Sequence, residues 1–156
     1  MGNVIQGQPV VAGRAEGRAL VSDEPLSFWG GYDHRTGEIT DRRHPLSGSV
    51  AAGCILAVPF TRGSSTTTVV LLEAARAGTA PAAILTTRVD AFIALASIVA
   101  NELYARAIPI VALTPQEFAR LRTGDRLRIE TGGQIQFLPD TVAAGLSSGS
   151  GNEWPS

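Results

Sequence analysis

The chain has 156 residues, enough for one domain with a single core, and its 44% hydrophobic and 17% charged residues are typical of a globular protein. The net charge of −1 excludes a general electrostatic affinity for nucleic acid or for anionic membranes. All 13 basic residues are arginines, which excludes mechanisms that need lysine, and the single cysteine, Cys54, excludes both an internal disulfide and a thiolate cage supplied by this chain alone.

The first third of the chain has the alternation and turn residues of β-structure. Residues 9–21 alternate apolar and polar side chains, which predicts two short antiparallel strands around a turn, or one bulged strand. Residues 27–40 predict an extended aromatic segment with a turn at Thr36-Gly37, and a polar loop follows over residues 41–49. The apolar run CILAVP at 54–59 predicts a buried strand.

The centre of the chain changes to a helical period between short apolar strands. A helix is expected to begin after the turn that contains Ser64 and to stop at Gly78, and Asp90 is expected to cap a second helix. Strands are predicted at 82–86 and 108–113. The helical spacing of the first helix is carried by Val69, Leu72, Ala75 and Arg76. The predicted apolar face of the second helix consists of Ile93, Ala94, Ser97, Ile98, Leu103 and Tyr104.

Strands that alternate with helices imply a parallel sheet, and the β-material at both ends implies a second layer. Residues 125–138 predict a β-hairpin around Gly132-Gly133. We therefore expect an α/β fold, a three-layer β/β/α sandwich with a central parallel sheet and a second, antiparallel β-layer. The domain is expected to cover residues 1–140, and the small polar residues 141–156 predict a disordered tail.

The turn FTRGSSTTT at residues 60–68 contains more hydroxyl groups than a helix cap requires. It follows a predicted parallel strand and precedes a helix, so its free N–H groups and the helix dipole favour an anion there. Gly63 allows close approach of the backbone, and Arg62 can bind a carboxylate or phosphate. The same donors would make a serine hydroxyl at this place more acidic and its oxyanion a usable base. From spacing alone, however, the favoured interpretation is that Ser64 or Ser65 simply caps the helix.

A basic loop, Arg42-Arg43-His44, precedes Pro45. Its residues can bind a substrate carboxylate or dock a partner chain, or they can form an ordinary solvated loop, and the sequence leaves these alternatives open. Met1 is not followed by the charged and apolar regions of a secretory signal, and the apolar stretch at 91–103 is too short to span a bilayer. We therefore expect a cytoplasmic protein that does not bind membranes.

Several separated motifs resemble those of one known family. PLSFWGGYDHRTGEITDRRHPLSG, AVPFTRGSSTTTVVLLEAARAGTAPAAIL, ASIVANELY and PIVAL agree in order and spacing with the small subunit of the aconitase X family. That family includes phosphomevalonate dehydratases and cis-3-hydroxy-L-proline dehydratases. The resemblance covers most of the chain apart from the tail, and it implies a swivelling β/β/α domain.

The resemblance also implies roles for the turn. In the aconitase superfamily the corresponding turn reads Gly-Ser-Ser-Arg and its first serine is the catalytic base, which places that role on Ser64. Gly63 and Ser65 then belong to the substrate-binding turn, and Thr66 stands where the wider superfamily has a substrate-binding arginine. This difference disfavours a tricarboxylate substrate, and we infer from its chemistry that Arg62 takes over part of the anion binding.

What the resemblance implies about activity is a hydro-lyase that works only with a large subunit, as a heterodimer or higher assembly. The iron or iron–sulfur centre is expected on that large subunit, with no metal bound by this chain. The substrate is expected to be cis-3-hydroxy-L-proline, with (R)-5-phosphomevalonate as the alternative. The alanine- and arginine-rich, lysine-free composition is more typical of bacterial than of archaeal proteins, and this favours hydroxyproline. A non-catalytic swivel-type binding module is a further alternative. A phosphohistidine swivel domain is excluded because residues 61–68 contain no histidine.

Overall fold

The computed structural model describes residues 3–62 and 65–139. Ten strands and four helices lie within these ranges. The strands are β1 Val4–Gln6, β2 Gln8–Val11, β3 Ala15–Val21, β4 Leu26–Ser27, β5 Ile55–Ala57, β6 Thr61–Arg62, β7 Ala83–Thr86, β8 Ile110–Ala112, β9 Arg126–Ile129 and β10 Gln134–Leu138. The helices are α1 Phe28–Gly31, a single distorted turn, α2 Ser65–Ala77, α3 Ala91–Tyr104 and α4 Pro115–Phe118.

Eight of the strands form one mixed sheet in the order β1-β10-β9-β3-β5-β7-β8-β2. Strands β3, β5, β7 and β8 run parallel, as expected for strands joined by helical crossovers. Strand β3 belongs to both halves of the sheet, because its first residues pair antiparallel with β9 and its last residues pair with β5. The predicted central parallel sheet, the second antiparallel layer and the hairpin of β9 and β10 are thereby confirmed.

The prediction for residues 9–21 is wrong in its pairing. Strands β2 and β3 both form, but β2 pairs with β8 and β3 pairs with β5 and β9, so they make no hairpin with each other. The two ends of the eight-stranded sheet, β1 and β2, are separated by Gly7 alone, so the sheet must curl until its ends meet. A Cβ at Gly7 would lie 2.3 Å from Val111 Cγ1, which is why glycine stands at this closure.

Successive residues of the parallel strands face two different cores. On β5, Leu56 packs with the helices, whereas Ile55 and Ala57 pack between the two halves of the sheet. Ile84 and Leu85 on β7 divide in the same way. Strands β5 and β7 are therefore buried on both faces, which explains why their sequences are almost continuously apolar.

Helix α2 ends as predicted, and the residues that indicated its period are divided between buried and exposed positions. Gly78 follows the helix at φ +80°, a conformation that glycine adopts easily. Of the residues predicted at helical spacing, Ala75 is buried and Leu72 is half-buried, whereas Val69 is 55% exposed and Arg76 is also exposed. Its buried residues are Thr67, Val70, Leu71, Ala74 and Ala75.

Helix α3 is capped as predicted, and its face is only partly correct. Ile93 and Ser97 are buried as expected, together with Ala96 and Ala100. Ile98 and Leu103 are 53% and 64% exposed, contrary to the prediction. Alanines face inward because α2 and α3 pack against each other, and small side chains let two helices approach closely. Hydrophobic periodicity gives most weight to the largest side chains, so it predicted that Ile98 and Leu103 face the core and missed the buried alanines.

The predicted tail at 141–156 lies outside the described residues, so the boundary near residue 140 stays a prediction. Within the described ranges, none of the helices combines the length and the apolar character that a membrane span requires.

Candidate active site

Three turns meet at one edge of the parallel sheet. Strands β3, β5 and β7 are parallel neighbours, so the residues that follow each of them lie at the same edge. These segments begin at Ser22, Val58 and Thr87. Ligands of open α/β sheets bind at this carboxyl edge, so a ligand-binding site is expected there.

The turn that carries Arg62 is held by its neighbours on both sides. Strand β6 pairs in parallel with β4, so that Ser27 lies opposite Arg62. The Thr61 hydroxyl, which is buried, donates to the carboxylate of Asp90. Asp90 also caps α3 by accepting a hydrogen bond from the Phe92 N–H at 2.8 Å. The cap of one helix thus fixes the turn that leads into the other.

The hydroxyl-rich stretch divides into two groups. Thr67 is buried and donates to the Arg62 carbonyl at 3.3 Å, and Thr68 donates to the Phe92 carbonyl at 2.9 Å. Ser65, the first residue of α2, is exposed, and Thr66 is half-buried. Gly63 and Ser64, the predicted close-approach residue and the predicted base, lie outside the described residues.

The basic loop reaches the same edge as Arg62. Arg42, Arg43 and His44 line a cleft of about 520 Å³ together with Arg62. Asp41 holds the loop by accepting a hydrogen bond from the Arg43 N–H at 3.0 Å. The side chains of Arg42, Arg43 and Arg62 are exposed. Guanidinium groups gathered around one cleft form a site for an anion.

His44 is a structural residue of this cleft and is not part of a solvated loop. Its side chain is 6% exposed, and its Nδ1 accepts a hydrogen bond from the Leu46 N–H at 3.1 Å. Nε2 therefore carries the proton and donates to the Glu24 carbonyl at 3.3 Å. His44 joins the loop to the turn after β3, so it positions the two walls of the cleft.

Comparison with known sequences identifies the family. The sequence model of the aconitase X swivel domain matches residues 4–137. The chain belongs to the aconitase X swivel domain family.

The relatives of this swivel domain fall into two size classes. It is 49% identical, over 71% of its length, to a cis-3-hydroxy-L-proline dehydratase of Pseudomonas aeruginosa, of which it covers 19%. It is 36% identical, over 86% of its length, to the phosphomevalonate dehydratase small subunit of Thermococcus gammatolerans, of which it covers 97%. The chain thus spans about a fifth of the length of the hydroxyproline dehydratases that it matches.

The fold has a close counterpart among solved structures. The crystal structure of Thermococcus kodakaraensis aconitase X superposes with a TM-score of 0.79 at 32% sequence identity, covering 88% of this chain and 100% of that chain. The fold expected from the resemblance is therefore confirmed.

The described residues of the swivel domain do not fit an iron or iron–sulfur centre. They contain no group of three histidine, cysteine or acidic side chains placed to hold a metal ion. Cys54 is half-buried, its thiol points to the Val50 carbonyl at 3.6 Å, and burial raises its pKa. A raised pKa favours the protonated thiol, whereas metal ligation needs the thiolate.

Two acidic residues of the cleft were not singled out in the sequence. Glu24 and Asp41 line it beside the three arginines. Glu24 lies in the turn that follows β3, at the carboxyl edge of a parallel strand, so the rule that pointed to Arg62 points to Glu24 as well. Asp41 gave no comparable signal, because the contact that joins its loop to this edge is made by His44 with Glu24, twenty positions earlier in the chain.

Proposed function

We propose that this chain is the small subunit of a hydro-lyase that eliminates water from cis-3-hydroxy-L-proline. Membership of the aconitase X swivel domain family is the observation that carries this proposal. The higher identity to the hydroxyproline dehydratases favours that substrate. Coverage of nearly the whole length of phosphomevalonate dehydratase small subunits keeps (R)-5-phosphomevalonate as the second candidate.

Ser64 is the proposed base, and the placement of its neighbours supports this role. Arg62 precedes it on an anchored strand, and Ser65 begins a helix of 13 residues. The first N–H groups of such a helix lack partners within the helix and carry a partial positive charge, which stabilises an oxyanion nearby. Arg62 adds a positive charge to the same field.

In the proposed reaction, this chain contributes the step that removes one proton from carbon. Ser64 Oγ removes the proton from the carbon that carries the carboxylate. The electron pair of the broken C–H bond forms a carbon–carbon double bond as the hydroxyl on the adjacent carbon departs. The enamine acid tautomerises to Δ1-pyrroline-2-carboxylate. Arg62, Ser65 and Thr66 hold the substrate, with Gly63 allowing the backbone to approach. The group that assists the departing hydroxyl belongs to the large subunit, where we also place the iron or iron–sulfur centre.

The large subunit is the proposed occupant of an apolar face on α3. Phe92, Leu95, Ile98 and Leu103 share one side of this helix and are 39%, 50%, 53% and 64% exposed. The face begins beside the proposed site, since the Phe92 carbonyl accepts the Thr68 hydroxyl. A chain that closes the site from this edge meets that face first, and exposed apolar side chains in one patch are typical of interfaces. The small-subunit names of the relatives support a large chain as the occupant.

The test is reconstitution with the large subunit. We expect dehydration of cis-3-hydroxy-L-proline only with both chains present, and a fall in kcat of about 10²- to 10⁴-fold for Ser64→Ala. Thr131→Ala, which removes an exposed hydroxyl from the β9–β10 turn, is the matched control and should keep full activity. Full activity of the isolated chain, or no effect of Ser64→Ala, would contradict the proposal. Parallel assays with 5-phosphomevalonate decide between the two substrates.

A further inference from the structure

The cleft beside Arg62 carries charges of both signs. Besides Arg42, Arg43 and Arg62, its lining includes the carboxylates of Glu24 and Asp41. The ion pairs formed among the described residues all involve other arginines, so within this part of the chain the three guanidiniums face the cleft without a carboxylate partner. Asp41 has a structural role, because its carboxylate accepts the Arg43 N–H, whereas the carboxylate of Glu24 has no such role among the described residues. A site for anions alone does not explain a carboxylate there, because it weakens the binding of an anionic group.

The walls of the cleft are held by main-chain groups, by His44 and by the carboxylate of Asp41, which leaves the side chains of Glu24 and the three arginines available. The Glu24 N–H donates to the Ser22 hydroxyl at 2.9 Å, and the Glu24 carbonyl accepts from His44 Nε2 at 3.3 Å. On the opposite wall, the His44 N–H donates to the Asp41 carbonyl at 3.0 Å. His44 therefore fixes the separation between Glu24 and the arginine-bearing loop.

We propose that this cleft recognises a zwitterionic amino acid, with Arg42, Arg43 and Arg62 around its carboxylate and Glu24 on its ring ammonium. The inference rests on the proposed function and specifies its substrate class. A cyclic amino acid presents one carboxylate next to one ammonium, which matches a cleft lined by guanidiniums and by the carboxylate of Glu24. A phosphorylated hydroxy acid presents two anionic groups and would set one of them against Glu24 or Asp41.

The experiment compares two ligands that differ only at the ring heteroatom. L-proline and tetrahydrofuran-2-carboxylate share the ring and the carboxylate, but only L-proline carries an ammonium. Calorimetric titration of the two-chain complex should give tighter binding of L-proline by about tenfold to a hundredfold, the usual effect of a charge-assisted hydrogen bond. Glu24→Gln should abolish most of this preference. Asp23→Asn removes an exposed carboxylate from the same turn but outside the cleft, and it should keep the preference.

The arginines are tested by the opposite pattern. Arg42→Gln and Arg43→Gln should weaken both ligands by a similar factor, because both ligands carry the carboxylate. Arg35→Gln is the control, since Arg35 pairs with Asp33 and does not line the cleft.

The outcomes separate this inference from the proposed function. Equal binding of the two ligands by the wild type, or an equal loss of both in Glu24→Gln, overturns the role of Glu24 even in an active dehydratase. A Glu24-dependent preference for L-proline in a complex without dehydratase activity supports the cleft and contradicts the proposed function.

Discussion

Asp90 joins the helix layer to the candidate active site, and its removal gives the sharpest test of how the site is held. Its carboxylate caps α3 at Phe92 and accepts the hydroxyl of Thr61, which lies directly before Arg62. Asp90→Ala removes both interactions at once. We expect it to destabilise the fold and to loosen the turn that carries Arg62.

The expected cost can be estimated from the two contacts. Loss of an N-cap side chain costs about 1 kcal/mol. The Thr61 hydroxyl, 9% exposed, would lose its partner, which costs about 1 to 3 kcal/mol for a buried polar group. The total of about 2 to 4 kcal/mol corresponds to a fall in Tm of about 5 to 15 °C for a domain of this size.

The assay is urea unfolding of single and double variants. Thr114→Ala is the matched control, because Thr114 caps α4 through the Glu117 N–H but has no bond to β6. A double-mutant cycle of Thr61→Val with Asp90→Ala should give a coupling energy of about 1 to 2 kcal/mol. If Asp90→Ala costs no more than Thr114→Ala, or if the coupling is below about 0.3 kcal/mol, Asp90 does not hold the turn.

Three further predictions concern the core, the pH dependence and the apolar face. Ser97→Ala should lower the free energy of unfolding in urea by about 2 to 4 kcal/mol, because the buried Ser97 hydroxyl bonds both the N–H and the carbonyl of Ile108. A decrease below about 1 kcal/mol contradicts this prediction. Burial raises the pKa of Tyr32, so the free energy of unfolding should fall as pH rises above about 10, where the unfolded chain loses the phenol proton before the folded chain does. Tyr32→Phe should make this pH dependence shallower, and an equal pH dependence in both proteins contradicts the prediction. Leu95→Glu should weaken association with the large subunit at least about tenfold. Val50→Glu, at an equally exposed apolar residue beyond the opposite edge of the sheet, should leave association unchanged, and equal effects of the two variants contradict the α3 interface.

Local sequence signals predicted the elements well and their long-range partners poorly. The three central strands, the Asp90 cap and the stop at Gly78 depend on short-range chemistry, and all are confirmed. The pairing of β2 and β3 depends on how a sheet closes around Gly7, which no local pattern encodes. A hairpin was expected because neighbouring strands usually pair, but strands β5, β7 and β8 stand between β3 and β2 in the sheet.

The proposed interface with the large subunit accounts for the errors on α3. Ile98 and Leu103 look like core residues because an isolated domain should bury them, and a chain that docks on a partner need not. The site shows the same division. Arg62 was predicted from its place after a strand, whereas its approach to Arg42 and Arg43 depends on His44, whose contact with Glu24 is visible only in three dimensions.

Under the proposed function, the hydroxyl groups of the turn at residues 60–68 have two different roles. Thr67 and Thr68 are used at the main chain, where they bond the carbonyls of Arg62 and Phe92 and tie α2 to its own entry turn and to α3. Such contacts restrain a turn without occupying its open side. Ser65 at the start of α2 is exposed and bonds none of the other described residues through its side chain, so it is available to a ligand. A capping role alone needs one hydroxyl, whereas a proton-abstracting turn needs anchored neighbours and free hydroxyls together.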